Sequence, residues 1–452
     1  MIRKKILLLV LFLYVSVFPC FAHAERLDTI GFEQDLDAAE LQDDGGTFAY
    51  EGSTVHSGYF AEEFNPSTFY GASMYRFSDS FLVHNKFFRT YFYVKSYPSS
   101  INSSSCYTVS GATGVSLIVW GEPDTPSFTS SVMMNSSGQI GLVDNDLNLI
   151  GSLSSPVSLN TWHYLEILEN GSTGNIELRL DGTSVASASG LTMGFGNSIY
   201  WGVDPHDLGS SCADTATMDI IYDDIAINDD SGSYQNSWPG AGHDSFFVPS
   251  VAGDSNQWLK TDSSPGDSNN YSLVNSLGNA SFTHFVASKT LGNTDLYRMA
   301  SSSPGDIVPC GATVNTVQVG TWFEGSVNGT NAQFAVEAEK ASGGTKSQSA
   351  PVVPTVTSVN ANSVDIPHNY PLTMDLDPDG SPWTYSTIGT MQAGYLVTTG
   401  DASNYARNGY LFAYVDWTPG TCGGGSPAPR KMLLFYGVKV KIFGGKVIIY
   451  GP

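Results

Sequence analysis

Positive charge is scarce in this chain. Of its 452 residues only 20 are Lys or Arg, against 43 Asp or Glu, and the formal net charge at pH 7 is −23. A chain this acidic is unsuited to nucleic acid, because a polyanion is bound chiefly through Lys and Arg contacts to its phosphates. The charge balance is compatible with a solvated outer surface and with binding of divalent cations.

Cysteine is scarce as well. The chain has five cysteines and no Cys-x-x-C pair, which argues against a zinc ribbon and a thioredoxin-like redox centre. Cys20 lies in an N-terminal segment that we expect to be removed, and an even number of remaining cysteines in an exported chain indicates disulfide bonds. Of the three possible pairings we favour Cys106 with Cys212 and Cys310 with Cys422, because each pair then lies within one predicted domain.

Long apolar runs are absent beyond the N-terminus. Residues 1–24 combine a basic start at residues 3–5, an apolar stretch at residues 6–18 and a small-x-small sequence at residues 22–24. This pattern is typical of a secretory signal peptide cleaved after Ala24; a retained membrane anchor is the alternative. No later segment reaches the roughly 18 apolar residues of a membrane-spanning helix. We therefore expect an exported protein without a membrane span after cleavage, either secreted and extracellular or held at the cell surface.

Convincing amphipathic helical patterns are also missing from the first half, where short alternating segments occur instead. The clearest lie between Asn160 and Gly182, where residues 162–168 and 176–180 alternate around Asn-Gly and Thr-Gly and are followed by Asp-Gly. Period-two alternation interrupted by such dipeptides predicts antiparallel strands joined by tight turns. This stretch therefore predicts a β-meander with one buried face.

The same pattern along the chain predicts an all-β protein, with two β-sandwich (jelly-roll) domains in tandem after the cleaved signal peptide. The first domain covers residues 25–230, a linker rich in Gly and Ser covers residues 231–243, and the second sandwich covers residues 244–452. A strand is predicted over residues 271–274. The basic C-terminal hairpin around Gly444-Gly445 either completes the second sandwich or exposes an edge used for self-assembly.

Five short motifs follow one another in the first domain. They are Gly31-Phe32-Glu33, Thr54-x-His56-Ser57-Gly58, Thr161-Trp162-x-Tyr164, Leu180-Asp181-Gly182 and Asp223-Asp224-Ile225. Their order resembles the concanavalin A-like lectin/glucanase superfamily, in particular its laminin-G-like jelly rolls. The resemblance implies a jelly-roll scaffold that binds glycans or surface polymers.

The second half carries a looser set of motifs. They are Ser237-Trp238-Pro239-Gly240, Gly253-Asp254-Ser255, Asn269-Asn270-Tyr271 and Asp377-Pro378-x-Gly380. This set is similar to a β module of tailed-phage structural proteins, and the similarity implies a packaging or adhesive role without chemistry. A structural or adhesive assembly protein of phage-like origin is therefore the alternative function. The signal peptide argues against a plain virion protein, because tail proteins assemble in the cytoplasm.

Structural calcium is the cofactor that the sequence favours, and the first possible site is a single loop. Asp375, Asp377 and Asp379 present carboxylates at alternate positions before Gly380, as in the front half of a calcium loop. Ser386 stands where the closing Glu of an EF-hand would be. An ordinary turn is the alternative for this sequence.

A second calcium site follows from the resemblance. Related jelly rolls share a structural calcium between a Glu after an early Phe and an Asp near the last strand, which implies Glu33 with Asp223 or Asp224 here. First and last strands of such sandwiches are often neighbours, so the pairing is sterically reasonable. The alternative is that these acids cap strand ends at the surface.

Enzymatic chemistry has little support in the sequence. Glucanases of this fold use two carboxylates on one face of a strand. The nearest pair, Glu166 and Glu169, has a spacing that puts the two on opposite strand faces, and we expect both at the surface. The chain also lacks a Gly-x-Ser-x-Gly elbow, a His-Glu-x-x-His motif and a phosphate loop. We therefore expect a non-catalytic protein, with a glycoside hydrolase as the least favoured reading.

Binding of a carbohydrate needs exposed aromatic rings and directional polar groups. We predict Tyr200, Trp201 and His206 as ligand-binding residues, and we expect Trp120 and Trp162, inside β runs, to be buried. The predicted function is an exported, non-catalytic β-sandwich protein that binds a glycan or a cell-surface polymer.

Overall fold

Nearly every element of the computed structural model is a β-strand. The structure describes residues 26–33, 42–43, 48–65, 71–76, 84–99, 108–109, 112–122, 127–146, 148–193, 198–203, 217–260, 266–276, 284–301, 307–326, 330–354, 371–421, 439–443 and 446–450. The N-terminal part has the strands β1 (Arg26–Ile30), β2 (Gln42–Asp43), β3 (Phe48–Glu51), β4 (Ala61–Phe64), β5 (Gly71–Arg76), β6 (Lys86–Ser99), β7 (Thr108–Val109), β8 (Ala112–Glu122), β9 (Ser127–Asn135), β10 (Ile140–Asp144), β11 (Leu149–Ile150), β12 (Trp162–Asn170), β13 (Asn175–Leu180), β14 (Thr183–Ala188), β15 (Ser198–Val203) and β16 (Thr217–Asp229).

The C-terminal part continues with β17 (His243–Asn256), β18 (Leu259–Lys260), β19 (Val286–Ser288), β20 (Thr294–Ser301), β21 (Thr313–Gly325), β22 (Gln333–Glu339), β23 (Lys346–Gln348), β24 (Leu372–Met374), β25 (Gln392–Thr399), β26 (Ala406–Thr418), β27 (Lys439–Phe443) and β28 (Lys446–Tyr450). A short helix, α1 (Tyr385–Ile388), and a 3₁₀ helix, Asn270–Leu273, are the helical elements of the described residues. The predicted all-β fold is confirmed. No helix within these described ranges is long and apolar enough to cross a membrane.

Residues 26–229 form a sandwich of two antiparallel sheets. The front sheet has the order β14-β13-β12-β6-β16-β4-β3, with β1 paired to β16. The back sheet has the order β11-β10-β9-β8-β15-β5-β2, with β7 paired to β8. Alternate residues of each strand point between the sheets, where Phe88 of the front sheet packs on Trp201 of the back sheet with ring centroids 6.0 Å apart.

The meander predicted from Asn160 to Gly182 is present in the front sheet. Strand β12 pairs with β13, and β13 pairs with β14, both antiparallel. Asp181 and Gly182 at the second turn have φ angles of 50° and 74°, as an Asp-Gly turn between twisted strands requires. The meander is therefore confirmed, and β12 also pairs with β6 and joins it to the centre of the front sheet.

The first and last strands of this sandwich are neighbours, as expected, because β1 pairs with β16. Strand β16 contains a bulge. Asp223 lies opposite Tyr91 of β6, but the next paired residue is Ala226, opposite Arg89. Asp224 within the bulge has a φ of 47°, a conformation that Asp tolerates better than most residues. The bulge directs the carboxylates of Asp223 and Asp224 towards the same loop.

Residues 243–418 form a second β-structure around a single ten-stranded sheet. Its order is β18-β19-β26-β17-β20-β25-β22-β23, and β21 pairs with both β26 and β24. Phe323 of β21 packs on Phe334 of β22 with ring centroids 5.3 Å apart, although these strands are not hydrogen-bonded neighbours. The sheet therefore folds over its own core, as in a β-sandwich.

The strand predicted over residues 271–274 is wrong, because Asn270–Leu273 form a 3₁₀ helix. The buried side-chain amide of Asn270 donates to the carbonyl of Trp258 over 3.0 Å and to Asp295 over 2.7 Å. These bonds anchor a tight turn where a strand was expected.

The predicted linker is held against the front sheet. Asn228 donates to the carbonyl of Ser237 over 2.9 Å, and the amides of Gly240 and Gly242 donate to Glu166 and to the Tyr91 hydroxyl, over 2.7 and 3.2 Å. The predicted C-terminal hairpin is present, with β27 and β28 forming a two-stranded sheet of their own. Its role in assembly stays a prediction.

Several predicted features lie outside the described residues. They are the signal peptide (residues 1–24), His206, Cys106, Cys212 and Cys422. Cys310 lies in a turn before β21. Both disulfide pairings and the cleavage therefore stay predictions.

Candidate functional site at the domain junction

Buried charges connect the two parts of the molecule. Arg26 of β1 and Arg89 of β6 both contact Asp416 of β26, with closest nitrogen–oxygen distances of 3.4 and 2.8 Å. Asn315 also donates to this carboxylate, over 2.5 Å. The two guanidinium groups hold the pKa of Asp416 well below its usual range despite its burial. This ion cluster fixes the front sheet against the second domain.

A second buried carboxyl, Asp244 of β17, lies beside this cluster, opposite Asp416 in the β17–β26 pair. Its nearest charged partner is Arg89, whose Nη2 is 3.8 Å from Oδ1. Neither carboxyl oxygen has a hydrogen-bond partner among the residues the structure describes. Burial, together with the nearby charges of Asp224 and Asp416, raises the pKa of Asp244 well above its usual value.

Four aromatic rings form a continuous stack across the junction, in the order Tyr91, His56, His243 and Trp417. We call this set the junction stack. Successive ring centroids are 3.6, 4.4 and 4.7 Å apart, and the planes of the two imidazoles differ by only 3°. Tyr91 and His56 come from the first domain, whereas His243 and Trp417 come from β17 and β26. The stack is therefore assembled by residues that are far apart in the sequence.

Asp224 holds one end of His56. Its Oδ2 is hydrogen-bonded to Nδ1 of the imidazole, and its Oδ1 accepts from the Ser57 hydroxyl. Asp223 accepts from the amides of His56 and Ser57, over 2.7 and 3.3 Å. Burial, with the charges of Asp224 and Glu33, raises the pKa of Asp223 well above its usual value. The bulge in β16 thus places two carboxyl groups against the short loop that contains His56 and Ser57.

His243 is neutral in this setting. Partial burial lowers its pKa to about 4, and the neighbouring His56 and Arg89 act in the same direction. The imidazole has only ring contacts within the described part of the chain, on His56, Tyr91 and Trp417. It is therefore held by stacking alone.

Further aromatic side chains lie beside the stack on the outward face of the front sheet. The ring centroid of Trp162 lies 5.3 Å from that of Tyr93 and 5.5 Å from that of His56. The ring centroids of Tyr164 and Tyr91 are 5.4 Å apart. Tyr93, Trp162 and Tyr164 are only half-buried. We call these three residues the aromatic platform. Trp162 was expected in the core, but the side chains of β12 at even numbers from 162 to 168 point away from it.

Two of the three predicted ligand-binding rings, Tyr200 and Trp201, are in the interior instead. Tyr200 and Trp201 are 1% and 0% exposed, and their strand, β15, lies in the middle of the back sheet between β8 and β5. The indole of Trp201 donates to buried Glu62 over 2.8 Å. Neither ring can present a face to a ligand, which corrects the prediction for these two residues. Trp120 is buried as expected.

Glu33 holds the same loop as Asp223 and Asp224, but at a different part of it. Its carboxylate accepts from the amides of Tyr59 and Phe60, over 2.8 and 3.3 Å, while the two aspartates hold the same loop at His56 and Ser57. Within the described residues, the metal-compatible group contains Asp224 with His56 and His243, whose ligand atoms lie within 4.8 Å of one another. Calcium bound by Glu33 stays a prediction.

A positively charged side chain, that of Lys340, already lies against the Asp375 to Gly380 loop. Asp377 accepts from the amides of Asp379 and Ser381, each over 3.0 Å, as in an ordinary Asx turn. The ammonium group of Lys340 lies 3.0 Å from Asp377 and also contacts Asp379. Calcium in this loop stays a prediction, but the single positive charge of Lys340 already offsets part of the charge of the two aspartates.

Glu166 and Glu169 are buried, contrary to expectation, but they do lie on opposite faces of β12. Glu166 accepts from the amide of Gly240 on the outward face, over 2.7 Å. Glu169 points between the sheets and accepts from Ser130 of the back sheet, over 3.1 Å. They were predicted at the surface because the packing of the linker and the back sheet on β12 is not visible in a local pattern.

The chain matches no protein-family model and no curated protein. Among solved structures, an alginate lyase of polysaccharide lyase family 7 is similar, with 13% sequence identity and a TM-score of 0.31. The aligned part covers 44% of this chain and 99% of the lyase chain. The carbohydrate-binding module CBM66 from Bacillus subtilis is 12% identical over 42% of this chain and 96% of its own, with a TM-score of 0.27. The binding domain of botulinum neurotoxin serotype D is 10% identical over 78% of this chain and 98% of its own, with a TM-score of 0.31. Similarities this low carry no argument about ligand or activity.

Proposed function

We propose that this protein is an exported, non-catalytic glycan-binding protein that holds its ligand on the aromatic platform. The observation that carries the proposal is the half-buried state of Tyr93, Trp162 and Tyr164 on the outward face of the front sheet. Apolar side chains of the same strands that point inward, such as Phe92 and Leu165, are fully buried. Aromatic rings that remain accessible beside a domain junction are suited to stack on the C–H faces of sugars.

The charges near the platform favour a neutral glycan. Lys95 lies on the outward face of β6 two residues after Tyr93, and its ammonium group is paired with Glu63 over 2.5 Å and with Glu51 over 3.3 Å. This lysine is therefore neutralised within the protein. Together with the net charge of −23, the pairing disfavours polyanionic ligands.

Affinity electrophoresis in gels containing single soluble polysaccharides tests the proposal. We expect a neutral polysaccharide to retard the wild type, and we expect Trp162→Ala and Tyr93→Ala each to weaken retardation at least about tenfold, as loss of a stacking ring should. Tyr385→Ala removes an exposed ring far along the chain in α1 and should bind like the wild type. Unchanged retardation of both platform variants would contradict the proposal.

The alternative, a structural or adhesive assembly protein, is favoured by the C-terminal hairpin. Strands β27 and β28 pair with each other and lie outside the ten-stranded sheet, and an isolated two-stranded hairpin is marginally stable in water. Concentration-dependent assembly in sedimentation velocity, lost on deleting residues 439–450, together with no retardation by any polysaccharide, would support this alternative.

A further inference from the structure

We propose that His56, Asp224 and His243 form a binding site for a divalent transition-metal ion of the zinc class that links the two domains. The ligand atoms of these three residues lie within 4.8 Å of one another. Two imidazoles and one carboxylate are the donor types that such ions prefer, and three protein ligands with one position left for water is a common zinc arrangement. His56 and Asp224 belong to the first domain, and His243 begins β17.

The three ligands lie in a junction that is rich in buried carboxyl groups. Four carboxyl groups are almost completely buried here, from Asp223, Asp224, Asp244 and Asp416. Only two guanidinium groups, from Arg26 and Arg89, are buried among them. Both oxygens of Asp244 lack a hydrogen-bond partner in the described part of the chain. A cation at Asp224 would therefore enter a junction in which buried carboxyl groups outnumber buried guanidinium groups.

The existing contacts show where the ion would enter. His56 Nδ1 is in direct hydrogen-bond contact with Asp224 Oδ2, so a metal ion bound between these two atoms would replace their hydrogen bond. The neutral imidazole of His56 would then carry its proton on the other ring nitrogen, Nε2. Tyr91, stacked on His56 at 3.6 Å, and the Ser57 hydroxyl, bonded to the other oxygen of Asp224, would keep both ligands oriented.

His243 must turn to complete the site. Its ring is parallel to that of His56, and since the lone pair of an imidazole lies in the ring plane, two stacked rings cannot point at one ion. The ring of His243 has no hydrogen bond to break within the described residues and lies half-buried against Trp417. Rotation of this side chain therefore costs only its stacking contacts, and metal binding should change the environment of the Trp417 indole.

Calorimetric titration of the untagged, chelator-treated full chain with Zn²⁺ tests the site. We expect one ion per chain. His243→Ala and His56→Ala should each lower the affinity at least about tenfold. His163→Ala is the matched control, because His163 also contacts an aspartate, Asp181, over 2.7 Å but belongs to no cluster of three possible metal ligands among the described residues. The affinity of this variant should equal that of the wild type.

A second readout separates binding from folding. Zn²⁺ should raise the melting temperature of the wild type and of His163→Ala but not that of His243→Ala, which breaks no hydrogen bond in the apoprotein. Zn²⁺ should also shift the fluorescence of the wild type, and Trp417→Phe should remove that shift while retaining binding. Absence of saturable binding, or affinity that both histidine variants leave unchanged, would overturn the proposal.

Discussion

At the scale of single residues, buried carboxyl groups dominate the electrostatics. Glu169 of β12 is 0% exposed and accepts a hydrogen bond from Ser130 of the opposite sheet. Burial disfavours its charged form and raises its pKa from 4.5 to about 7. The folded state therefore holds this proton more tightly than the unfolded state, and its contribution to stability is lost as the pH rises from about 4.5 towards 7.

We expect Glu169→Gln to gain stability relative to the wild type as the pH rises, because the amide does not ionise. Between about pH 4.5 and pH 8 the relative gain should approach ~3 kcal/mol, the free-energy equivalent of the pKa shift. Urea unfolding at a series of pH values measures it. Glu177→Gln, which removes an outward carboxylate paired with Arg179, is the control. A constant difference between Glu169→Gln and the wild type at all pH values would refute the prediction.

At the scale of elements, the turn between β13 and β14 has little room for a side chain at its glycine. Gly182 has a φ of 74°, and a Cβ added there would lie 2.7 Å from the hydroxyl of Tyr164, a platform residue. Gly190, just after β14, has a similar φ of 71°, but a Cβ added there meets nothing within 4 Å. The two glycines therefore separate backbone strain from steric contact.

We expect Gly182→Ala to cost more stability than Gly190→Ala. Both variants carry the cost of a side chain at positive φ, roughly 1 kcal/mol, and only Gly182→Ala must also displace Tyr164. Urea unfolding gives the two free energies, and affinity electrophoresis should show weaker glycan retardation for Gly182→Ala alone. Equal destabilisation by both substitutions would mean that Tyr164 moves aside without cost.

At the scale of the whole molecule, the buried ions at the junction couple two separate hydrophobic cores. One core contains residues between Ile30 and Ile227, and the other contains residues between Phe247 and Val415. Asp416 contacts Arg26 and Arg89 from the first domain at full burial. Removing one member of such a cluster leaves buried charges without compensation, which is far more costly than losing a surface ion pair.

We expect Asp416→Asn to destabilise the protein by ~3–5 kcal/mol and to split a single calorimetric unfolding transition into two, because the domains lose their shared ion cluster. Asp401→Asn is the control. Asp401 accepts hydrogen bonds from the amides of Ser403 and Asn404 on an exposed loop, and an Asn side chain can accept the same bonds. The unfolding transition of the Asp401→Asn variant should therefore match that of the wild type. A small loss of stability with one transition would show that the cluster does not couple the domains.

Much of the fold follows from local pattern, and much of the site does not. The meander from Asn160 to Gly182 was predictable because alternation and Asp-Gly turns act within a few residues. Glu166 was misplaced because its burial depends on Gly240 of the linker. His56 lies in the Thr54-x-His56-Ser57-Gly58 motif, but nothing near it in the sequence indicates that His243 stacks on its ring.

The sequence by itself determined most of the strands and turns and the all-β class, because side-chain alternation and turn chemistry are short-range properties of the chain. Only the tertiary structure decided which rings are accessible and which carboxyl groups are buried. Trp162 and Trp201 both lie in β runs, yet the first faces outward beside the junction and the second lies in the core. That difference arises from long-range strand order and from packing of the second domain on the front sheet.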